Sequence, residues 1–95
     1  MALRIGRHTF HFTTYDPPSD VLDAGVDGPP EGRRKPSPED HIWRVDEKGR
    51  LVGITLMNPR RQLERDGAVY VTLPSGERER VAGAEAMIRS GSGEG

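Results

Sequence analysis

Between positions 41 and 57 the chain reads HIWRVDEKGRLVGITLM, and two runs rich in β-branched and aromatic residues flank Asp46-Glu47-Lys48-Gly49. A turn that opens on Asp and closes on Gly between two such runs predicts a β-hairpin. Gly at the fourth position suits a type I turn closed by a left-handed residue, because only Gly takes positive φ without a Cβ penalty. That closure predicts a register in which Asp46 faces Arg50, Val45 faces Leu51, Arg44 faces Val52, Trp43 faces Gly53 and Ile42 faces Ile54. Trp43, Val45 and Leu51 then share one side, and Ile42, Val52, Ile54 and Leu56 share the other. Both faces are apolar in this register and both need cover. Either another part of the chain or a second copy would supply it, and in so short a chain the pattern points to a homodimer.

The same period-two reading extends along the chain. His8, Phe10 and Phe12 alternate with Thr9, His11 and Thr13, which predicts a half-buried strand over residues 3–14. Pro17 and Pro18 remove two backbone donors and end it. Residues 21–26, with Leu22 and Val26, read as a short strand. Residues 27–39, DGPPEGRRKPSPE, are too rich in Pro, Gly and charge to bury much, and read as a long exposed loop. Asn58-Pro59 opens a short helix carrying Arg60, Arg61, Leu63 and Arg65, with Leu63 as its core anchor. Val69, Val71 and Leu73 share one side of a strand, and residues 78–82 return as its hairpin partner, with charges suited to an edge. Residues 83–89 read as an amphipathic helix with Ala84, Met87 and Ile88 inward. The tail, residues 90–95, has linker composition and reads as disordered.

These elements predict one mainly β (α+β) domain over residues 1–89. Its expected form is a small antiparallel sheet or partly open barrel of about five or six short strands with one or two short helices. With 95 residues there is no room for a second core.

Composition then narrows the chemistry. Lys and Arg number 14 against 15 Asp and Glu, a formal net charge of -1, which argues against a whole-surface nucleic-acid binder while leaving room for a local patch. The absence of cysteine excludes disulfides and thiolate sites. The first ten residues, MALRIGRHTF, lack the apolar core of a signal peptide, and no apolar run approaches the roughly 18 residues of a membrane span. A cytoplasmic protein, away from membranes, is the expectation.

Metal and cofactor readings are weak. His8 and His11 are an odd number of residues apart, so a strand points them to opposite sides. The aspartates at 16, 20, 23 and 27 do not match a calcium loop and suit turns and helix caps better. No cofactor is expected. His41, Asp40, Asp46 and Ser75 are chemically able to act as acid, base or nucleophile, yet their spacing does not bring them together. The basic run Arg33-Arg34-Lys35, the helix arginines Arg60 and Arg61, and the aromatics Trp43 and Tyr70 are the candidate partner-binding residues.

Tyr15-Asp16-Pro17 with Asp20-Val21-Leu22, followed by Val45-Asp46-Glu47-Lys48-Gly49-Arg50-Leu51-Val52-Gly53-Ile54, resembles the small bacterial family called domain of unknown function 2283. The likeness spans roughly residues 10–60. Two departures are the Asp23, Gly25 and Pro/Gly segment, where relatives continue a strand, and Thr55, where relatives commonly carry an acid. The resemblance implies a compact β-rich domain without established enzymatic residues, and a role as an antitoxin or partner-binding protein beside a small toxin. The expected function is therefore a non-enzymatic interaction module acting as a homodimer, an antitoxin-like or regulatory partner-binding protein. The alternatives are a nucleic-acid-binding domain using the Arg/Lys patch and a small enzyme of unknown reaction.

Overall fold

A computed structural model describes residues 2–90. Most of the tail expected to be disordered, residues 91–95, lies outside the described residues, while Ser90 ends the last helix. In chain order the elements are β1 (Leu3–Ile5), β2 (His8–Phe10), β3 (Phe12–Asp16), β4 (Val21–Gly25), β5 (Arg33–Pro36), β6 (Ile42–Val45), β7 (Leu51–Met57), α1 (Pro59–Asp66), β8 (Tyr70–Thr72), β9 (Arg78–Ala82) and α2 (Ala84–Ser90). The strands form two antiparallel sheets, ordered β2-β1-β9-β8 and β3-β4-β7-β6-β5, and among the described residues no barrel closes. The mainly β class with two short helices is as the pattern predicts. The strands are more numerous and shorter, because Gly6 at φ 59 breaks the first expected strand and the chain crosses between sheets at His11.

One core lies between the sheets. Leu3, Ile5, Phe10, Val71 and Val81 come from the four-stranded sheet, and Leu22, Ala24, Trp43, Ile54 and Leu56 from the five-stranded one. Ala84 and Ile88 of α2 join the same cluster. Phe12 belongs to the other sheet from Phe10 and is only half-buried, so the two rings do not share a face of one strand.

The hairpin turn forms as expected, with Gly49 at φ 81 and the Asp46 N–H bonded to the Arg50 carbonyl. Beyond it the register departs from the expected one. Val45 faces Leu51, but Arg44 faces Gly53, Trp43 faces Ile54 and Ile42 faces Thr55, so Val52 is the extra residue of a β-bulge. The physical reason is burial: a bulge flips every later side chain, and here it brings Ile54 and Leu56 onto the Trp43 face. One face of the hairpin then lies in the core, and the other carries Ile42, Arg44, Gly53, Thr55 and Met57. The premise behind the homodimer, a ribbon apolar on both sides, does not hold.

Gly53 is covered from outside the sheet by residues 28–30. A Cβ on Gly53 would sit 2.6 Å from the Cβ of Pro30, and one on its partner Gly25 would sit 1.9 Å from the Gly28 carbonyl oxygen. The paired glycines thus make a trough for this segment. The stretch 27–39, expected as loop throughout, contains the edge strand β5, whose four residues are all exposed.

Candidate interaction surface

The polar residues that looked chemically able are mostly committed to holding the fold. His41 is 1% exposed. The Met57 N–H donates to its Nδ1 at 3.0 Å, which makes Nδ1 the acceptor and leaves Nε2–H to donate to Gln62 Oε1 at 2.9 Å. Burial pushes the imidazole pKa below its ordinary value, so the ring is neutral at pH 7. Both ring nitrogens are therefore engaged inside the protein. A cleft of about 180 Å³ beside it is lined by Glu39, Asp40, Met57, Asn58, Arg61 and Gln62, among others.

Asp20 shows why the Tyr-Asp-Pro…Asp stretch is there. Its carboxylate accepts the Tyr15 hydroxyl at 2.8 Å and the backbone N–H groups of Arg60 at 3.0 Å and Arg61 at 3.2 Å. Asn58, the N-cap of α1, has φ 55 and makes no side-chain cap bond, so Asp20 caps the helix from the β3–β4 turn. Burial, and then the bond to Asp20, push the Tyr15 pKa up to about 12. Asp23 and Asp16 are similarly engaged: Asp23 accepts the Thr55 hydroxyl at 2.7 Å and Asp16 accepts the Ser19 hydroxyl. Among the described residues no group of three His, Cys, Asp or Glu side chains could hold a metal ion.

Asp46 binds the N–H groups of Lys48 and Arg50 within its own turn, and Ser75 lies in the β8–β9 turn. His41, Asp46 and Ser75 therefore stand in the core and at two separate turns. His8 leans edge-on to the Trp43 ring at 6.5 Å, while His11 is exposed.

The free edge of β8 is closed by side chains. The Val81 N–H to Val69 carbonyl and Leu73 N–H to Glu77 carbonyl bonds set the ladder, and alternation points the Tyr70 and Thr72 backbone away from β9. There Gln62 Nε2 donates to the Tyr70 carbonyl at 3.1 Å, Trp43 Nε1 donates to the Thr72 carbonyl at 2.9 Å, and the Thr72 N–H donates to Glu39 at 2.9 Å. The Thr72 hydroxyl also donates to Glu39, at 2.7 Å. Desolvation works to raise the Glu39 pKa, but these bonds outweigh it and hold the carboxyl below its ordinary value.

The candidate partner-binding residues therefore fall into three places. Trp43 is 1% exposed, a bridge between the sheets, and offers no surface to a partner. Tyr70 is half-buried beneath Arg78, whose guanidinium lies 4.2 Å from the ring centre. Arg60 and Arg61 are exposed on α1, tied through Asp20 to the β3–β4 turn. Arg33, Arg34 and Lys35 lie on β5, at the opposite edge of the same sheet. The two basic groups thus do not form one patch.

Arg44, which sequence reasoning missed, joins the β5 group: it stands directly opposite Arg34. Arg50, Arg65, Arg78, Arg80 and Arg89 each pair with a carboxylate; among the described residues Arg33, Arg34, Lys35 and Arg44 do not, and neither do Arg4, Arg7, Lys48, Arg60 and Arg61. The only signal in the sequence was alternation, which puts Arg44 on the face away from Trp43.

No family model matches the chain, and no curated protein or solved structure matches it either. No helix of the described residues is long and apolar enough to cross a membrane.

Proposed function

We propose that the chain is a non-enzymatic protein-interaction module that receives an acidic partner along the cationic β5–β6 edge of its five-stranded sheet. The observation that carries this reading is the clustering of charge: Arg33, Arg34, Lys35 and Arg44 lie on two adjacent strands at one edge of the sheet, and none of them pairs with a carboxylate among the described residues. A protein partner fits better than a nucleic acid, because Trp43 and Tyr70 are engaged inside the fold and give a base no stacking platform. The separation of the two basic groups points the same way. The likeness to the domain of unknown function 2283 adds an antitoxin-like or regulatory role in the cytoplasm, with a small acidic-faced toxin as the partner.

The test compares a fluorescent Glu-rich peptide with a single-stranded RNA and a DNA duplex of equal charge, by anisotropy at low salt. The expected result is saturable binding of the peptide that falls when Arg33, Arg34 and Lys35 are all changed to Glu. Tighter binding of RNA or DNA, with a steep salt dependence, would favour the nucleic-acid reading. For self-association, the apolar positions left on the outer face are Phe12, Val21, Ile42 and Met57, all half-buried. Sedimentation at micromolar concentration decides between monomer and homodimer.

A further inference from the structure

We propose that the acidic partner docks as an extended segment that adds a further strand to the five-stranded sheet, bonded main chain to main chain along the free side of β5. This deepens the reading just given and rests on it. The phase of the ladders carries the inference. The Ser37 N–H donates to the His41 carbonyl at 2.8 Å, so that pair is hydrogen-bonded and extends the β5–β6 ladder by one step. Alternation then bonds Lys35 to Trp43 and Arg33 to Val45, and turns the backbone groups of Arg34 and Pro36 away from β6. The far side of the sheet gives the same phase. The Val26 N–H donates to the Val52 carbonyl at 3.2 Å, so Val52 faces β4 while Gly53 and Thr55 bond to Arg44 and Ile42, which leaves Trp43 and Val45 for β5.

β5 therefore ends the sheet with the Arg34 N–H, the Arg34 carbonyl and the Pro36 carbonyl pointing outward. Proline has no N–H to leave unbonded, so it is tolerated at this position of an edge strand. All four residues of β5 are exposed, and among the described residues no hydrogen bond from another element reaches Arg34. The corresponding groups of β8 are taken by Gln62, Trp43 and Glu39. An edge left with open donors and acceptors receives another strand, and the main-chain bonds supply the affinity.

The charges on β5 decide which strand. Arg33 and Lys35 stand on one side of it and Arg34 on the other, so an incoming strand meets a cation on either face. A second copy of β5 would bring cations against cations, and like charges directly opposite destabilise a strand pair. A segment rich in Glu or Asp meets opposite charge instead. The other edge of the same sheet, β3, reads FTTYD and has no Lys or Arg with which to select an acidic strand.

The experiment compares three forms of the Glu-rich peptide on the intact chain: unmodified, N-methylated at every second residue, and N-methylated at every residue. Successive N–H groups of an extended strand point to opposite edges, so the second form keeps one bonding edge whole and the third keeps none. All three carry the same charge. The first two should bind alike within about twofold, and the third should lose at least about tenfold, as the loss of two main-chain bonds does. Arg34→Pro deletes the outward N–H and should weaken binding about fivefold more than Arg34→Gln, which removes charge alone. In the wild-type chain the Arg34 amide should exchange with water more slowly once the unmodified peptide is bound.

Equal binding of the fully methylated peptide, or an Arg34 amide that exchanges as fast bound as free, would overturn strand addition and leave the acidic-partner reading intact. No binding of the unmodified peptide by the wild-type chain would remove that reading, and the docking mode with it.

Discussion

β8 and β5 are both edge strands, yet β8 gives the groups on its free side to Gln62, Trp43 and Glu39, whereas β5 leaves all four of its residues to solvent. The same ladder arithmetic identifies the outward residues in each: Tyr70 and Thr72 in β8, Arg34 and Pro36 in β5. An unpaired edge is a template for association, and proteins close it with covering side chains or blunt it with charge and proline. This chain does the first at β8 and the second at β5. Closing an edge joins two sheets into one core, while blunting one leaves charge available to a partner. Substitutions at the two edges should therefore be read out differently, in stability at β8 and in binding at β5.

The largest effect is expected at Trp43. Trp43→Ala should cost about 3–5 kcal/mol, since it empties a large core site. Trp43→Phe refills the site but leaves the Thr72 carbonyl without its donor, and should cost about 1–3 kcal/mol. Urea melts of both variants check this, and an alanine variant that melts like the parent would break the claim that β8 is sealed. Gln62→Ala comes next. It orphans the His41 Nε2–H and the Tyr70 carbonyl together, and about 1–3 kcal/mol should be lost, with faster amide exchange in α1 and β8.

Acid should loosen the sealed edge in two stages, both of the same sign. His41 has its folded pKa below the unfolded value of 6.5, so its contribution is complete above that pH and declines as pH falls below it. Glu39 has its folded pKa below an unfolded value of 4.5, so its contribution persists until the more acidic range and is then lost. Thermal melts between neutral pH and pH about 4 should show a fall in Tm that begins near the histidine range. A flat profile across that range in the parent would show that the buried ring does not govern it. The smallest stability effect is expected at β5: Arg33→Ser or Lys35→Ser should change stability by less than about 0.5 kcal/mol.

Much of the scaffold can be read from the sequence, because its signals are local. The Asp46 to Gly49 turn, the Pro59 helix start, the inward row Val69, Val71 and Leu73, and the α2 face with Ala84 and Ile88 each follow from spacing within a few residues. What could not be read depends on distant partners. The bulge at Val52 is chosen because it gathers Ile54 and Leu56 with Trp43, a preference of the core and not of the hairpin. Asp20 caps a helix that begins at Pro59, and nothing around either residue announces the other. Leu63 packs against the core as expected but only partly buried, while Gln62 is buried with Pro59, because His41 and the Tyr70 carbonyl await it from two other elements. For the candidate surface, the run Arg33-Arg34-Lys35 stood out as charge. Its pairing with Arg44 and its distance from Arg60 and Arg61 needed the sheet order.

The central claim, that the β5 cations serve a partner and not the fold, is tested most directly on one variant carrying Arg33→Ser, Arg34→Ser and Lys35→Ser, measured for Glu-rich peptide affinity and for Tm side by side. The account predicts that peptide binding is lost while Tm stays at the parental value. A variant that keeps the parental affinity, or one whose Tm drops by several degrees, would contradict it.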